Sequence, residues 1–157
     1  MTSEQPSFVV DTSVISRVLV GGVDPVAGLY ADVLVGARWV IPLQVLAELR
    51  FGWTKSAWGP AKRGAAEDRL REHDLWLPDE AAAGLYAEFR NSCQKAGHGL
   101  ADKRQAGDLW VALAALDAGL PLVTHDAVFR GAPGLTVIRR TAADVMSDQA
   151  RAAQEGA

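Results

Sequence analysis

Apolar residues fall along this chain in short blocks of two kinds, and the two kinds alternate. Ser7-Phe8-Val9-Val10 is a compact run that reads as a buried strand, and Arg38-Trp39-Val40-Ile41 forms a second. Residues 75–78, 122–124 and 136–138 make three further short strands. Between them, apolar residues recur at helical spacing of three and four. Residues 14–19 predict a short helix stopped by Gly21-Gly22, and Pro25 opens a helix over 25–34. Pro42 opens another that runs to about Trp53, with Val45, Leu46, Leu49 and Trp53 on one face.

After a break at 54–60 comes a charged helix over 61–73, and Asp79 is placed to N-cap a helix reaching Ala96. Residues 97–105 are polar and hold Gly97 and Gly99, so they read as a loop. A helix over 107–118 stops at Gly119, with Pro121 just beyond. From Ser147 the chain is rich in Ala, Gln and charge, the pattern of a frayed helix or of disorder. Strands that alternate with helices from end to end predict an α/β domain on a mostly parallel sheet flanked by helices. With 157 residues this makes one domain, its core at about 7–140 and its tail at 147–157.

Composition narrows the class. Residues 1–7 lack the basic-then-apolar layout of a signal peptide, and no apolar stretch nears the roughly 20 residues that span a bilayer. Cys93 is the only cysteine, which excludes an internal disulfide and a cysteine-based zinc site. The expectation is a cytoplasmic protein with no membrane partner. A net charge of −3 argues against a nonspecific DNA coat but not against a nuclease, because a carboxylate site adds negative charge that a bound metal offsets.

Four acids stand out: Asp11 after Phe8-Val9-Val10, Glu48 in Ala47-Glu48-Leu49-Arg50, Asp108 in Gly107-Asp108-Leu109-Trp110, and Asp126 after Val123-Thr124-His125. Each borders an apolar run, where a carboxylate is costly to place without a partner. Asp11 and Asp126 follow strands, so both belong at the C-terminal sheet edge where α/β ligands gather. Asp108 starts a helix, whose free N–H groups favour an anion. At about 100° per residue, Glu48 lies about 60° to one side of Val45 and flanks the buried face. Each has a plain alternative: turn former, cap or solvated helix charge. Together they suit a hard cation such as Mg²⁺ or Mn²⁺ and the hydrolysis of a phosphodiester. Thr12, Ser13 and Thr124 supply neutral hydroxyls beside them, equally suited to capping helices and turns.

These segments resemble the PIN-domain nucleases, most closely the VapC-type toxins of bacterial toxin–antitoxin pairs. The resemblance is carried by Val9-Val10-Asp11-Thr12-Ser13-Val14-Ile15-Ser16, Leu46-Ala47-Glu48-Leu49-Arg50-Phe51-Gly52, Asp108-Leu109-Trp110-Val111-Ala112 and Gly119-Leu120-Pro121-Leu122-Val123-Thr124-His125-Asp126-Ala127-Val128-Phe129, in the family's order. It implies a PIN-like parallel sheet flanked by helices and a Mg²⁺- or Mn²⁺-dependent endoribonuclease with Asp11, Glu48, Asp108 and Asp126 as its acids. Asp11, Asp108 and Asp126 would hold metal, with Glu48 a ligand or a water-orienting base. Similar toxins cut particular tRNA, rRNA or mRNA and usually form homodimers. A cognate antitoxin typically wraps them and blocks the acidic pocket. Residues 54–71 fit no fixed family motif, so the choice of RNA is not inherited.

Arg50, Lys55, Lys62 and Arg63 lie near Trp53 and Trp58, and such a mixture can hold phosphates and stack bases. Lys103 and Arg104 precede Asp108 and are better placed to meet a phosphate near the acids. Phe51 and Trp58 are alternatives for lining a groove that takes an antitoxin helix. His125 reads as a bystander, and Leu109, Ala112, Leu113 and Leu116 as core. Two rivals stand beside the nuclease: a non-catalytic PIN module that binds RNA or protein, and a phosphohydrolase using a strand-end Asp. The dehalogenase-like phosphohydrolase pattern wants a second Asp two residues after the first, where this chain has Ser13.

Overall fold

In the computed structural model residues 4–156 are described; residues 1–3, at the start of the polar N-terminal stretch, and residue 157, at the end of the tail, lie outside them. Among these residues, five strands form one sheet in which every pairing is parallel: β1 (Ser7–Val10), β2 (Arg38–Pro42), β3 (Asp74–Trp76), β4 (Leu122–Val123) and β5 (Val137–Ile138). Their order is β3-β2-β1-β4-β5. Among the described residues, seven α-helices surround them: α1 (Thr12–Val20), α2 (Pro25–Leu34), α3 (Leu43–Lys55), α4 (Pro60–Leu70), α5 (Glu80–Lys95), α6 (Ala106–Ala118) and α7 (Ala142–Glu155). No single helix among the described residues is long and apolar enough to cross a membrane.

The strands are short and apolar because the middle of the sheet is covered on both faces. Val9, Val10, Leu122 and Val123 are fully buried. Helix α6 is buried around more than the stripe expected of it: Val111, Ala114 and Ala115 join Leu109, Ala112 and Leu113 in the core, while Leu116 is only partly covered. It ends at Gly119, whose φ of 65° is left-handed, a conformation that glycine adopts without steric cost.

The chain runs from β1 outward to β3, then returns to lay β4 on the other side of β1. The sheet's order therefore reverses between β1 and β4, the kind of crevice where α/β folds bind ligands. The register aligns Val9 with Leu122 and Val10 with Val123, so Asp11 and Thr124 leave the sheet side by side.

Three regions differ from the sequence reading. Residues 97–105 are not irregular: they form two tight 3-10 turns, Gly99–Ala101 and Lys103–Gln105, the second capped by the Asp102 carboxylate on Arg104 N. The strand read at 75–78 starts at Asp74 and ends before Leu77. The tail is helical, and its helix begins earlier than Ser147, at a capping box in which Thr141 and Asp144 satisfy each other's backbone N–H groups.

Candidate functional site

Asp11 N-caps α1 from the end of β1, yet its side chain makes no capping bond. The residue is 5% exposed, and its carboxylate turns to hydroxyls instead. Oδ2 accepts from Ser13 Oγ at 2.7 Å and from Thr124 Oγ1 at 2.8 Å. Each hydroxyl accepts in turn, Ser13 from His125 N at 2.9 Å and Thr124 from Asp126 N at 3.0 Å. These bonds fasten the loop after β4 to the end of β1 through one buried anion. Burial holds the Asp11 carboxyl above its usual range, with the two hydroxyls and the Thr12 N–H pulling the other way.

Glu48 is half-buried on α3. Its Oε2 accepts from the Thr12 hydroxyl, and its Oε1 accepts from Gln44 Nε2 at 3.1 Å. Asp108 is in the first turn of α6. Its carboxyl is pushed up to about 6, first by burial and then by repulsion from Asp11, Asp126 and Glu48, with no hydrogen bond to offset them. Asp126 is exposed, and its Oδ1 accepts from Val128 N at 2.9 Å to cap a 3-10 turn over Ala127–Phe129.

The four acids come from four separate segments: Asp11 and Asp126 are joined through Thr124, Glu48 is tied in through Thr12, and the charges of all three help to raise Asp108. They are not a finished cage: among the described residues, no three His, Cys, Asp or Glu side chains are grouped closely enough to hold an ion as they stand. The donor set is oxygen only, from carboxylates and hydroxyls, which suits a hard divalent cation. Asp108 is consistent with this, because a bound cation would offset both the burial and the repulsion that raise its carboxyl. The residues present therefore fit such an ion.

A cleft of about 280 Å³ opens beside Thr12 and Glu48 and extends to Val20, Gly52 and Trp58. Phe51 is exposed but does not line it. A larger cavity of about 470 Å³ lies at the N-terminal ends of the strands, around Gln5, Trp39 and His73. The larger cavity is at the sheet edge opposite Asp11 and Thr124, whereas the smaller one is lined by Thr12 and Glu48 and so adjoins the acids.

Several basic residues are already engaged. Arg50 makes a two-pronged ion pair with Glu67 at 2.8 and 3.1 Å, and Arg104 folds back on Asp102 at 2.8 Å. Trp53 is buried and stacks on Trp58 with centroids 5.5 Å apart, and Lys62 covers the Trp58 ring at 4.0 Å. Arg63 donates to the Trp53 carbonyl at 3.3 Å. This patch is mostly satisfied within itself, whereas Lys55 and Lys103 are exposed. His125 meets the hydroxyl of the buried Tyr30 at 2.9 Å, away from the acids.

The sequence reading missed Gln44 and Tyr30. Gln44 sits one helical turn before Glu48, a spacing that would have flagged it. Tyr30 had no local signal: its hydroxyl donates to the Thr124 carbonyl at 3.0 Å across 94 residues of chain.

Residues 8–135 match the family model described as PIN domain. No curated protein matches the chain in sequence. Among solved structures, VapBC-5 of Mycobacterium tuberculosis, described as a member of the VapBC family of toxin–antitoxin systems, is similar at 27% identity and TM-score 0.57, over 85% of this chain and 98% of that one. VapBC2 of Rickettsia felis, bound to a DNA fragment from its promoter, is similar at 19% identity and TM-score 0.69, over 86% and 99%. VapBC-1 of nontypeable Haemophilus influenzae is similar at 23% identity and TM-score 0.65, over 85% and 97%.

Proposed function

The chain belongs to the PIN-domain family, and from that premise we propose that it is a metal-dependent endoribonuclease, the toxin of a type II toxin–antitoxin pair. The observation that carries this reading is that the loop bearing Asp126 is fastened through Ser13 and Thr124 to the buried Asp11 at the sheet's switch point, with Glu48 tied in through Thr12. Asp11, Asp108 and Asp126 would hold Mg²⁺ or Mn²⁺, and Glu48 would be a further ligand or would orient water. When bound, such an ion lowers the pKa of a water and stabilises developing charge on a phosphate.

The reaction is hydrolysis. A water attacks the phosphorus in line, the bond from phosphorus to O3′ breaks, and the products carry a 5′-phosphate and a 3′-hydroxyl. This chain's residues contribute position: Ser13 and Thr124 fix the Asp11 carboxylate, and Thr12 fixes that of Glu48. Lys103, exposed in the turn before α6, is the cation best placed to meet an RNA phosphate.

The similar complexes from Mycobacterium tuberculosis and Haemophilus influenzae support an antitoxin partner. The cleft from Glu48 to Trp58 would receive its blocking segment. A homodimer and a cytoplasmic setting belong to the same reading. The test is cleavage of total cellular RNA in Mg²⁺, Mn²⁺ or EDTA by wild type and Asp11→Ala. Discrete products that need both metal and Asp11 support it. No cleavage in any metal by folded protein free of antitoxin would move the assignment to a PIN module that binds without cutting.

A further inference from the structure

Resting on the nuclease reading, we infer that Gln44 is a positioning residue for the Glu48 carboxylate, and that Gly107 is the residue whose missing side chain makes room for it. Gln44 and Glu48 are one turn apart on α3, and the Gln44 amide donates to Oε1 at 3.1 Å while the Thr12 hydroxyl donates to Oε2. Both carboxylate oxygens are therefore held, and both holders are neutral. An arginine in place of Gln44 would hold the group equally well but cancel its charge. An amide fixes the plane and leaves the charge for a cation, with lone pairs to spare on each oxygen.

Gly107 is the second half of the device. A Cβ there would stand 3.1 Å from Gln44 Nε2 and 3.6 Å from Glu48 Oε1. The residue after it is Asp108, so the first turn of α6 lies against the Gln44 amide of α3. Without the amide, a glutamate with three side-chain torsions has other rotamers open to it. A Cβ at 107 would press on the amide, which must give by a few tenths of an ångström and so loosen its bond to Glu48.

The test compares wild type with Gln44→Ala, Gly107→Ala and the double variant. Mn²⁺ binding is read on the protein alone, with no RNA, by the spin-resonance signal of the free ion. Cleavage is read as kcat and KM, and folding as Tm. Each single variant should weaken Mn²⁺ binding about tenfold or more, as loss of a ligand-orienting partner does. Each should lower kcat with KM for RNA and Tm held close to wild type. The double variant should be no worse than Gln44→Ala, since with the amide gone a Cβ at 107 has nothing to press on. Gln44→Ala that binds Mn²⁺ and cuts like wild type overturns the inference. Effects that multiply in the double variant overturn the role given to Gly107. Wild type that neither binds Mn²⁺ nor cuts RNA is a different failure: it overturns the nuclease reading, and this inference with it.

Discussion

Thr124 donates its hydroxyl to the Asp11 carboxylate at 2.8 Å, across 113 residues of chain, and neither side chain is open to solvent. The same hydroxyl accepts Asp126 N at 3.0 Å. One oxygen thus ties together the end of β1, the end of β4 and the start of the Asp126 turn. Thr124→Val keeps the shape and removes the bonds. It should cost about 1–3 kcal/mol, because it leaves a buried carboxylate and an N–H short of a partner. Denaturant unfolding measures the cost, and a variant as stable as wild type would show that the latch is dispensable.

Asp108 carries a stability cost that depends on pH. Its carboxyl titrates at about 6 in the folded chain against 3.8 in the unfolded one. The folded state therefore binds that proton more tightly, and stability falls as pH rises from 3.8 through about 6, then levels off. In EDTA, Asp108→Asn should raise Tm at pH 7.5 and have little effect at pH 4; in Mg²⁺ or Mn²⁺ it should abolish cleavage. After allowance for solvent screening the gain at high pH is about 1–2 kcal/mol. Burial of Asp11 shifts its carboxyl in the same direction and adds to the trend. Equal Tm differences at both pH values would remove Asp108 from the repulsive cluster.

Lys103 and Arg50 should separate in an RNA assay. Lys103 is exposed, whereas Arg50 is committed to Glu67. Lys103→Ala should raise KM with kcat unchanged, and flatten the salt dependence of binding to single-stranded RNA by a slope of about 0.7. Arg50→Ala should leave that slope alone. A slope that changes only for Arg50→Ala would mean that RNA crosses the α3–α4 surface instead.

Removal of α7 should be nearly neutral for the fold. It buries no residue of its own, and it is tied back through its capping box and the Arg140–Asp148 ion pair at 2.8 Å. A chain ending at Thr141 should unfold within about 1 kcal/mol of the full chain. A larger loss, read by thermal unfolding, would show that α7 supports the body of the domain.

Local pattern was enough for much of this protein. Strand and helix alternation, Gly119 as a helix stop and Asp79 as a cap are all statements about residues a few positions apart, and backbone sterics and hydrogen bonding act at that range. The four acids could be named for the same reason, since each borders its own apolar run. What they do to one another was not legible. Whether Asp11 is held by Thr124 or Asp108 is repelled by Glu48 depends on strand order and helix packing, which bring distant segments within reach of each other's fields. The partner of Arg50 was hidden likewise: the sequence shows a charge, but only packing shows that Glu67, on the next helix, lies within 3 Å and has already taken it. The chain by itself determined which residues can carry chemistry, because that is a property of side chains. Only the tertiary structure decided which of them stand together, because Coulomb energies and hydrogen bonds depend on distance in space and not on distance along the chain.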